Sequence, residues 1–185
     1  MKLMIASDIH GSALYCEKLI EAFKREQPDR LLLLGDILYH GPRNALPEDY
    51  ECMKTAELLN GIKDSILCVR GNCDAEVDQM VLDFPIMEDY RTFYFEKTDT
   101  TVYATHGHHY GPNNVPPGLH AGDILLCGHT HIPAWLPLPG GIWYFNPGST
   151  SIPKGGSAHS YMIMTDDEAL WLDFEGSCYY HRRLG

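Results

Sequence analysis

The most constraining feature of this sequence is a run of four leucines at residues 31–34 that leads directly into Gly35 and Asp36. Four apolar residues bounded by turn-forming residues are typical of a strand that is buried on both faces, as in a parallel sheet. Polar groups that follow such strands collect at the carboxyl edge of the sheet, where open α/β sheets bind their ligands. We therefore expect Asp36 to lie at the rim of a sheet.

The same pattern, an apolar run followed by a metal-ligand residue type, recurs along the chain. Its five occurrences carry Asp8 and His10, Asp36, Asn72, His106, and His129 and His131. Taken singly most of these motifs are weak, because Asp-x-His is also typical of a capping carboxylate beside a surface histidine and Gly-Asn of a plain turn. The two histidines of Gly-His-x-His are a stronger signal, since residues two apart on an extended segment point the same way. We expect the five strand ends to converge.

Hydrophobic periodicity places these motifs in an α/β fold. The predicted elements are strands at 2–7, 31–34 and 65–69 and helices at 12–27 and 48–63. The opening strand–helix–strand unit is typical of a parallel sheet, and Ser12 is the expected N-cap of the first helix. Further strands are predicted at 91–96, 101–105 and 123–127, and from residue 134 onward short strands alternate with turns. Early helices and late hairpins predict two sheets packed face to face and flanked by helices, in a single domain of residues 1–185.

Composition limits the partners and the compartment. A net charge of −11 repels polyanions, so neither a nucleic acid polymer nor an anionic membrane is the expected partner. No apolar run approaches the ~18–20 residues of a membrane span, and the chain begins with a short strand pattern instead of a secretory signal. The six cysteines show no paired spacing, which favours reduced thiols. These features predict a cytoplasmic protein.

Taken together, the motifs resemble those of one family. Asp-x-His, Gly-Asp, Gly-Asn, His and Gly-His-x-His occur in this order, each just past an apolar strand. This series resembles the metal site of the calcineurin-like metallophosphoesterase superfamily. Longer matches at residues 8–12, 40–47, 71–74 and 145–149 resemble the small bacterial YfcE-type phosphodiesterases within it. The resemblance spans residues 8–149 and implies the family's four-layer αββα sandwich of two mixed β-sheets flanked by helices.

The resemblance also implies a set of metal ligands. One divalent ion would be held by Asp8, His10 and His131, the other by Asn72, His106 and His129, with Asp36 bridging them. Two such ions bring four positive charges and the two carboxylates return two negative ones, so the pocket attracts a phosphate ester within an acidic chain. Ligands without thiolate suit Mn²⁺, Fe²⁺, Zn²⁺ or Ni²⁺, and the share of oxygen ligands and the family favour Mn²⁺.

The implied activity is hydrolysis of small phosphate diesters by a dinuclear metal site and a metal-bridging hydroxide. A phosphomonoesterase or a nucleotide pyrophosphatase with the same site stays open. A non-catalytic scaffold of the same fold, as in the retromer coat, is a further alternative, although the intact set of seven ligand positions favours an enzyme. The aromatic late strands leave room for a homo-oligomer.

Further candidates lie near Asp36 and Asn72. Arg43 and His40 belong to the Gly- and Pro-rich segment after Asp36, where a guanidinium can clamp a phosphate oxygen. A solvated loop arginine is the alternative reading of Arg43. Asn72 is a candidate for phosphate binding as well as for metal binding. His108 follows close behind His106 and is expected either beside the ligands or on the surface.

The residue after Asn72 departs from most of the superfamily. Most catalytic members carry a histidine there, paired with the following acid and thought to protonate the leaving group. This chain has Cys73 followed by Asp74, as YfcE-type proteins do. A thiol with a pKa near ~8.5 suits that task less well at neutral pH than an imidazole near ~6.5. We therefore expect esters with acidic leaving groups to be cleaved faster than alkyl esters, with Cys73 and Asp74 as the candidate catalytic pair and His40 as a further candidate acid.

Overall fold

The computed structural model describes residues 1–184; Gly185, the last residue of the predicted domain, lies outside them. Two α-helices, eleven strands and four short 3₁₀ helices make up the regular structure of the described residues, and the α-helices and strands position the site. In chain order they are β1 (Leu3–Ala6), α1 (Ala13–Glu26), β2 (Arg30–Leu33), α2 (Cys52–Asn60), β3 (Ile66–Cys68), β4 (Tyr90–Phe95), β5 (Thr100–Thr105), β6 (Ile124–Leu126), β7 (Ala134–Pro137), β8 (Trp143–Asn146), β9 (Ser160–Met164), β10 (Glu168–Asp173) and β11 (Cys178–Arg183).

The strands form two mixed sheets, which confirms the predicted fold class. The six-stranded sheet has the order β11-β10-β9-β1-β2-β3, and the five-stranded sheet has the order β4-β5-β6-β8-β7. Each sheet contains three parallel neighbours, β1-β2-β3 in the first and β5-β6-β8 in the second. The remaining pairs are antiparallel.

The first helix begins and ends within a residue of its predicted limits because its sequence caps it at both ends. The Ser12 hydroxyl accepts a hydrogen bond from the Tyr15 N–H, and Gln27 adopts the left-handed conformation that closes the last turn. The second helix is shorter than predicted, because residues 48–51 are used differently. The Asp49 carbonyl accepts from the Ala13 N–H, and the Glu51 N–H donates to Gly11, so this segment is held against the start of α1.

Strands β1 and β2 are buried on both faces, as their apolar sequences predict. Side chains that include Leu3, Ile5 and Leu32 point into the core between the two sheets, where they meet residues of the five-stranded sheet such as Val102. Side chains of the opposite face, such as Met4, pack beneath the helices. Alternation along each strand thus fills two separate cores.

The outer face of the five-stranded sheet is covered in a different way. Leu125, Cys127 and Tyr144 form a small third cluster, against which Val115 and Leu119 pack from the loop that follows β5. Neither α1 nor α2 contributes a residue to this cluster, because buried residues of both helices pack in the core on the outer face of the six-stranded sheet.

Candidate metal centre

The seven predicted ligand residues all lie in loops at the carboxyl ends of the parallel strands. The loops after β1, β2 and β3 carry Asp8 and His10, Asp36, and Asn72, and those after β5 and β6 carry His106, and His129 and His131. Backbone hydrogen bonds join neighbouring loops: the His10 N–H donates to the Asp36 carbonyl at 2.9 Å. The structure therefore brings together the residues that sequence spacing predicted to converge.

The glycines that precede the ligands are required by the close approach of these loops. A Cβ at Gly71 would lie 2.1 Å from Asp36 Oδ1, and a Cβ at Gly128 would lie 1.9 Å from Ser7 Oγ. Neither glycine is among the residues with positive φ. A turn that needs positive φ, the alternative interpretation of Gly71-Asn72, therefore does not explain these glycines. A side chain is excluded at both positions because two loops are in contact there.

Backbone strain is concentrated at the ligand positions. Five of the eight non-glycine residues with positive φ are predicted ligands, namely Asp8, His10, Asp36, His129 and His131, with φ between 50° and 66°. A left-handed conformation at a non-glycine residue costs about 1–3 kcal/mol and persists only where the surroundings enforce it. Such strain clusters at functional sites, and here it turns five side chains toward one point.

Asp8, His10 and His131 form what we call the buried half of the site, and each is at most 3% exposed. The Nε2 atoms of the two histidines are 3.3 Å apart, and Asp8 Oδ1 lies 3.6 Å and 3.3 Å from them. The two Nδ1 atoms lie 2.7 Å from the carbonyls of Tyr39 and Ile152. Each Nδ1–H can therefore donate to a carbonyl, which leaves the Nε2 lone pair available to a cation that Asp8 would share.

An unsatisfied oxygen in the buried half is consistent with a cation site. Asp8 Oδ2 accepts from the His129 N–H at 3.0 Å, whereas Asp8 Oδ1 is buried without a hydrogen-bond partner in residues 1–184. A buried carboxylate oxygen without a partner is costly unless a cation compensates it. The donor set of one carboxylate oxygen and two imidazole nitrogens is one that Mn²⁺, Fe²⁺ or Zn²⁺ accepts.

Asn72, His106 and His129 form the open half of the site. His106 Nε2 lies 3.1 Å from Asn72 Oδ1 and 3.2 Å from His129 Nδ1, and its own Nδ1 is anchored 2.6 Å from the Leu34 carbonyl. His106 is buried, but Asn72 is exposed and His129 is half-buried. This half therefore faces the outside, whereas the first half is closed.

Asp36 lies between the two halves. Its Oδ2 atom is 3.7 Å from His10 Nε2 and 3.4 Å from His106 Nε2, and its Oδ1 atom accepts from the Cys73 N–H at 2.8 Å. Two sets of buried ligand atoms that converge to within 4.8 Å, one with Asp8, His10 and His131 and one with Asp8, Asp36 and His106, are consistent with a dinuclear metal site.

The charges of the site favour bound cations. Burial alone would raise the pKa of Asp8, but the close imidazoles of His10 and His131 outweigh it and hold that pKa well below its ordinary value. The pKa of Asp36 is likewise lowered, because the interaction with His106 outweighs burial. Both carboxylates are therefore ionised at neutral pH, as metal ligation requires.

Asp74 occupies a different position from the ligands. Its buried carboxylate accepts hydrogen bonds from the backbone N–H groups of Asp36, Ile37 and Gly71 at 2.7–2.9 Å. Burial raises the pKa of this carboxyl, and those N–H donors oppose the rise. Because both oxygens are engaged with backbone, Asp74 can act only through the loops that it joins, and its predicted catalytic role stays a prediction.

A cavity of about 440 Å³ opens in front of the ligands. Arg43 and Cys73 line it, as their sequence positions predicted, together with Asn72 and His129. The Cys73 Sγ accepts from Asn72 Nδ2 at 3.2 Å, and burial together with the charge of Asp36 raises the pKa of the thiol to about 12. These contacts put Cys73 beside the open half.

Lys154 also lines this cavity, although no sequence pattern predicts it as a site residue. Its backbone N–H donates to the His131 carbonyl, which ties the Lys154 loop to the buried half. Among the ion pairs of the described residues, none includes Arg43 or Lys154. The mouth of the cavity thus carries two cations without acidic partners.

The remaining predicted residues lie outside the ligand cluster. His40 packs edge-on between Tyr39 and Tyr50, at ring distances of 4.7 Å and 5.2 Å, and does not line the cavity. His108 lies 5.4 Å from His106 between ring centroids and is half-buried. Catalysis by His40 stays a prediction.

The turn after β8 supports the ligand loops. Ser149 and Ser151 donate their hydroxyls to the Asp8 carbonyl at 2.9 Å and 3.2 Å, and Asn146 Nδ2 donates to the Gly128 carbonyl at 2.7 Å. The Asn-Pro-Gly-Ser motif was the signal that could have identified these residues. Its polar side chains fix the strained backbone of the loops that carry Asp8 and His129.

Comparisons with known proteins agree with this geometry. The calcineurin-like phosphoesterase superfamily domain matches residues 1–169. The chain is 50% identical to phosphodiesterase YfcE of Escherichia coli over 167 residues, which cover 90% of this chain and 89% of that protein. A solved structure of the E. coli phosphoesterase Yfce superposes with a TM-score of 0.93 at 44% identity over 100% of both chains.

A more distant structure shares the fold alone. Vps29 from Chaetomium thermophilum superposes with a TM-score of 0.60 at 14% identity and covers 99% of this chain and 96% of its own. Separately, none of the helices in residues 1–184 has the length and apolar character that crossing a membrane requires.

Proposed function

The chain belongs to the calcineurin-like phosphoesterase superfamily, and from this premise we propose that it is a metal-dependent phosphodiesterase that acts on small phosphate diesters. The position of Asp36 Oδ2 between His10 and His106 supports this proposal most directly, because one carboxylate oxygen there faces both halves of the site. The name of the E. coli relative, a phosphodiesterase, favours diesters over other phosphate esters.

Each half would hold one divalent ion. Asp8, His10 and His131 are the proposed ligands of one ion, Asn72, His106 and His129 those of the other, and Asp36 is shared. When bound, the two ions supply Lewis-acid activation of water and of the phosphate oxygens. We propose Mn²⁺ as the metal. We propose the cytoplasm as the compartment, in keeping with six free cysteines in the described residues.

The chain's own residues orient the substrate in front of that site. Arg43 and Lys154 project cationic groups into the cavity and would bind the phosphate oxygens, which orients the ester toward Asp36. Asn72 contributes its amide to the same wall. Asp74 holds the loops of Asp36 and Gly71 in register and is proposed as a positioning residue.

One observation favours phosphomonoesters as a second substrate class. Two unpaired cations at the cavity mouth suit a dianionic monoester better than a monoanionic diester. A scaffold role, by contrast, is disfavoured by the strained ligand loops, because backbone strain of this kind is retained where it serves a site.

Hydrolysis of bis(p-nitrophenyl) phosphate and p-nitrophenyl phosphate tests the proposal. Protein stripped of metal by a chelator is assayed before and after addition of Mn²⁺, with Asp36→Asn as the matched variant. We expect the diester to be cleaved only after metal is restored, and the variant to lose at least about 100-fold in rate. Preferential cleavage of the monoester would establish the second class, and no turnover with any divalent metal would contradict an enzymatic function.

A further inference from the structure

A second cavity, of about 480 Å³, opens beside β4 and β5 on the outer face of the five-stranded sheet. We call it the tyrosine cleft. Its walls include Asp89, Tyr90, Tyr103, His109, Tyr110 and Asn114. The rings of Tyr90 and Tyr103 stack, with centroids 4.8 Å apart and 11° between their planes, and Tyr110 meets Tyr103 edge-on at 6.1 Å.

The walls of the cleft are held by the protein itself. Tyr90 pairs with Thr105 across the β4–β5 ladder, and the Thr105 hydroxyl donates to the Asp89 carbonyl at 3.0 Å. On the opposite side, Asn114 Nδ2 donates to the His109 carbonyl at 2.8 Å. The tyrosines are therefore preorganised, which lowers the cost of binding a flat ring.

The cleft presents groups that are not satisfied internally. Tyr90 is 53% exposed although it belongs to a stacked pair. The Asp89 carboxylate is exposed and forms no hydrogen bond or ion pair among the contacts of residues 1–184. An aromatic platform next to a free acceptor suits a heterocycle that stacks and donates an N–H.

The cleft lies close to the metal centre, because a third cavity shares lining residues with both. A smaller cavity of about 280 Å³ shares Asn72 with the cavity at the metal centre and shares Asp89 and His109 with the cleft. Arg70 lines this smaller cavity and forms no ion pair in the described residues. Tyr103 lies in β5 three residues before His106, which directly follows the strand, so their backbones are about 10 Å apart.

We propose that the tyrosine cleft binds the nucleoside of a nucleoside-bearing phosphodiester while the phosphate lies at the metal centre. The inference rests on the proposed phosphodiesterase function and names its substrate class. The base stacks on Tyr90, a base N–H donates to Asp89, and Arg70 lies along the path that the sugar and phosphate occupy. Stacking on an aromatic platform tolerates different bases, so the cleft selects nucleosides over small alkyl groups.

Two diesters with one leaving group test the proposal kinetically. Thymidine 5′-(p-nitrophenyl phosphate) and methyl p-nitrophenyl phosphate both release nitrophenolate and differ only in the retained group. We expect kcat/KM to favour the thymidine ester by about tenfold. Tyr90→Leu should abolish this preference without changing kcat/KM for the methyl ester. Tyr94→Leu is the matched control, because Tyr94 is 61% exposed on the same strand but lies outside the cleft.

A binding measurement separates failure of the inference from failure of the proposed function. Calorimetry on Asp36→Asn protein compares thymidine 5′-monophosphate with methyl phosphate. We expect about tenfold tighter binding of the nucleotide, lost when Tyr90→Leu is added and kept with Tyr94→Leu. Binding without hydrolysis of either diester in the parent protein would keep the nucleoside site and contradict the phosphodiesterase. Equal binding of the two ligands, or a preference that survives Tyr90→Leu, would overturn the cleft proposal.

Discussion

The two halves of the metal centre use similar side chains in different surroundings. In the buried half, Asp8, His10 and His131 are at most 3% exposed, and both histidines are anchored to backbone carbonyls. In the open half, Asn72 is exposed, His129 is half-buried, and only His106 has such an anchor. From this difference we infer that, in the proposed enzyme, the buried half retains its ion more firmly and the open half meets the substrate.

The largest expected effect comes from removing one ligand of Gly-His-x-His at a time. His131→Ala removes a ligand of the buried half, and His129→Ala removes one of the open half. We expect each to lower kcat by at least about 100-fold, because the reaction needs both ions. Metal analysis after dialysis should distinguish them: the His129 variant should retain about one ion per chain and the His131 variant less.

The control for this pair is His120→Ala, since His120 is a surface histidine outside the ligand cluster with a ring nitrogen 3.7 Å from Asp123. It should keep the activity and metal content of the parent protein. Equal metal retention by the two ligand variants would show that burial does not distinguish the halves. Retention by the His131 variant alone would show that the open half, not the buried half, binds its ion more firmly.

Asp74 holds the loop of Asp36, the shared ligand, against the loop that leads to Asn72 in the open half. Its substitution should therefore disturb the open half more than the buried half. Asp74→Asn replaces one accepting carboxylate oxygen with an amide NH₂ donor, although three backbone N–H groups donate to the carboxylate. We expect the free energy of unfolding to fall by about 1–3 kcal/mol and kcat to fall by about 10–100-fold. Denaturant unfolding and metal analysis provide the two measurements, and the lost ion should be that of the open half.

Asp78→Asn is the matched control, because Asp78 accepts one backbone N–H, that of Ala75, in the same loop. Its expected effect on unfolding is less than about 0.5 kcal/mol. If Asp74→Asn lowered stability but left kcat and metal content unchanged, Asp74 would be structural only. That result would contradict a positioning role.

The grouping of the seven proposed ligands could be predicted from sequence because the local sequence determines where each strand ends. An apolar run followed by Gly-Asp or Gly-His fixes where a strand stops, and parallel topology then brings those stops together. The α/β class and the Ser12 cap followed from the same local patterns and are confirmed. The reason for the glycine at Gly71 was not accessible, since it depends on contact with Asp36 from another loop.

The difference in exposure between the two halves of the site could not be predicted from the sequence either. Nothing local distinguishes His129 from His131, which are two residues apart, yet one is half-buried and the other is 3% exposed. The contribution of Lys154 to the cavity depends on a backbone hydrogen bond to His131 across 23 residues of chain. Exposure and long-range contacts come from packing, which a single sequence does not record.

Removal of either cation at the cavity mouth should have a smaller effect on the kinetics. Lys154→Gln removes a charge beside the buried half, and Arg43→Gln removes one from the loop after Asp36. We expect each to raise KM by about threefold to tenfold with little change in kcat, because charges at the rim act on binding. The effect should shrink as salt increases. Lys24→Gln, on the exposed side of α1, is the control.

A change in kcat instead of KM would place these cations in the chemical step. A larger effect on the monoester than on the diester would support the second substrate class, because the dianion gains more from each positive charge. Identical effects of Lys24→Gln and Lys154→Gln would indicate that only the net charge of the chain matters.

The smallest effect is expected at Cys73, which belongs to the open half through its contact with Asn72. Nitrophenolate leaves without protonation, so Cys73→Ala should change nitrophenyl ester hydrolysis by less than about threefold, as should the control Cys178→Ala on β11. Cys73→His should raise kcat on alkyl esters by about tenfold, since an imidazole can donate the proton that an alkoxide needs. The slope of log rate against leaving-group pKa measures this: it should be steep in the parent protein and shallower in the histidine variant. A flat slope in the parent protein would mean that another group already protonates the leaving oxygen, so that the open half contributes more to the chemistry than its exposed ligands suggest.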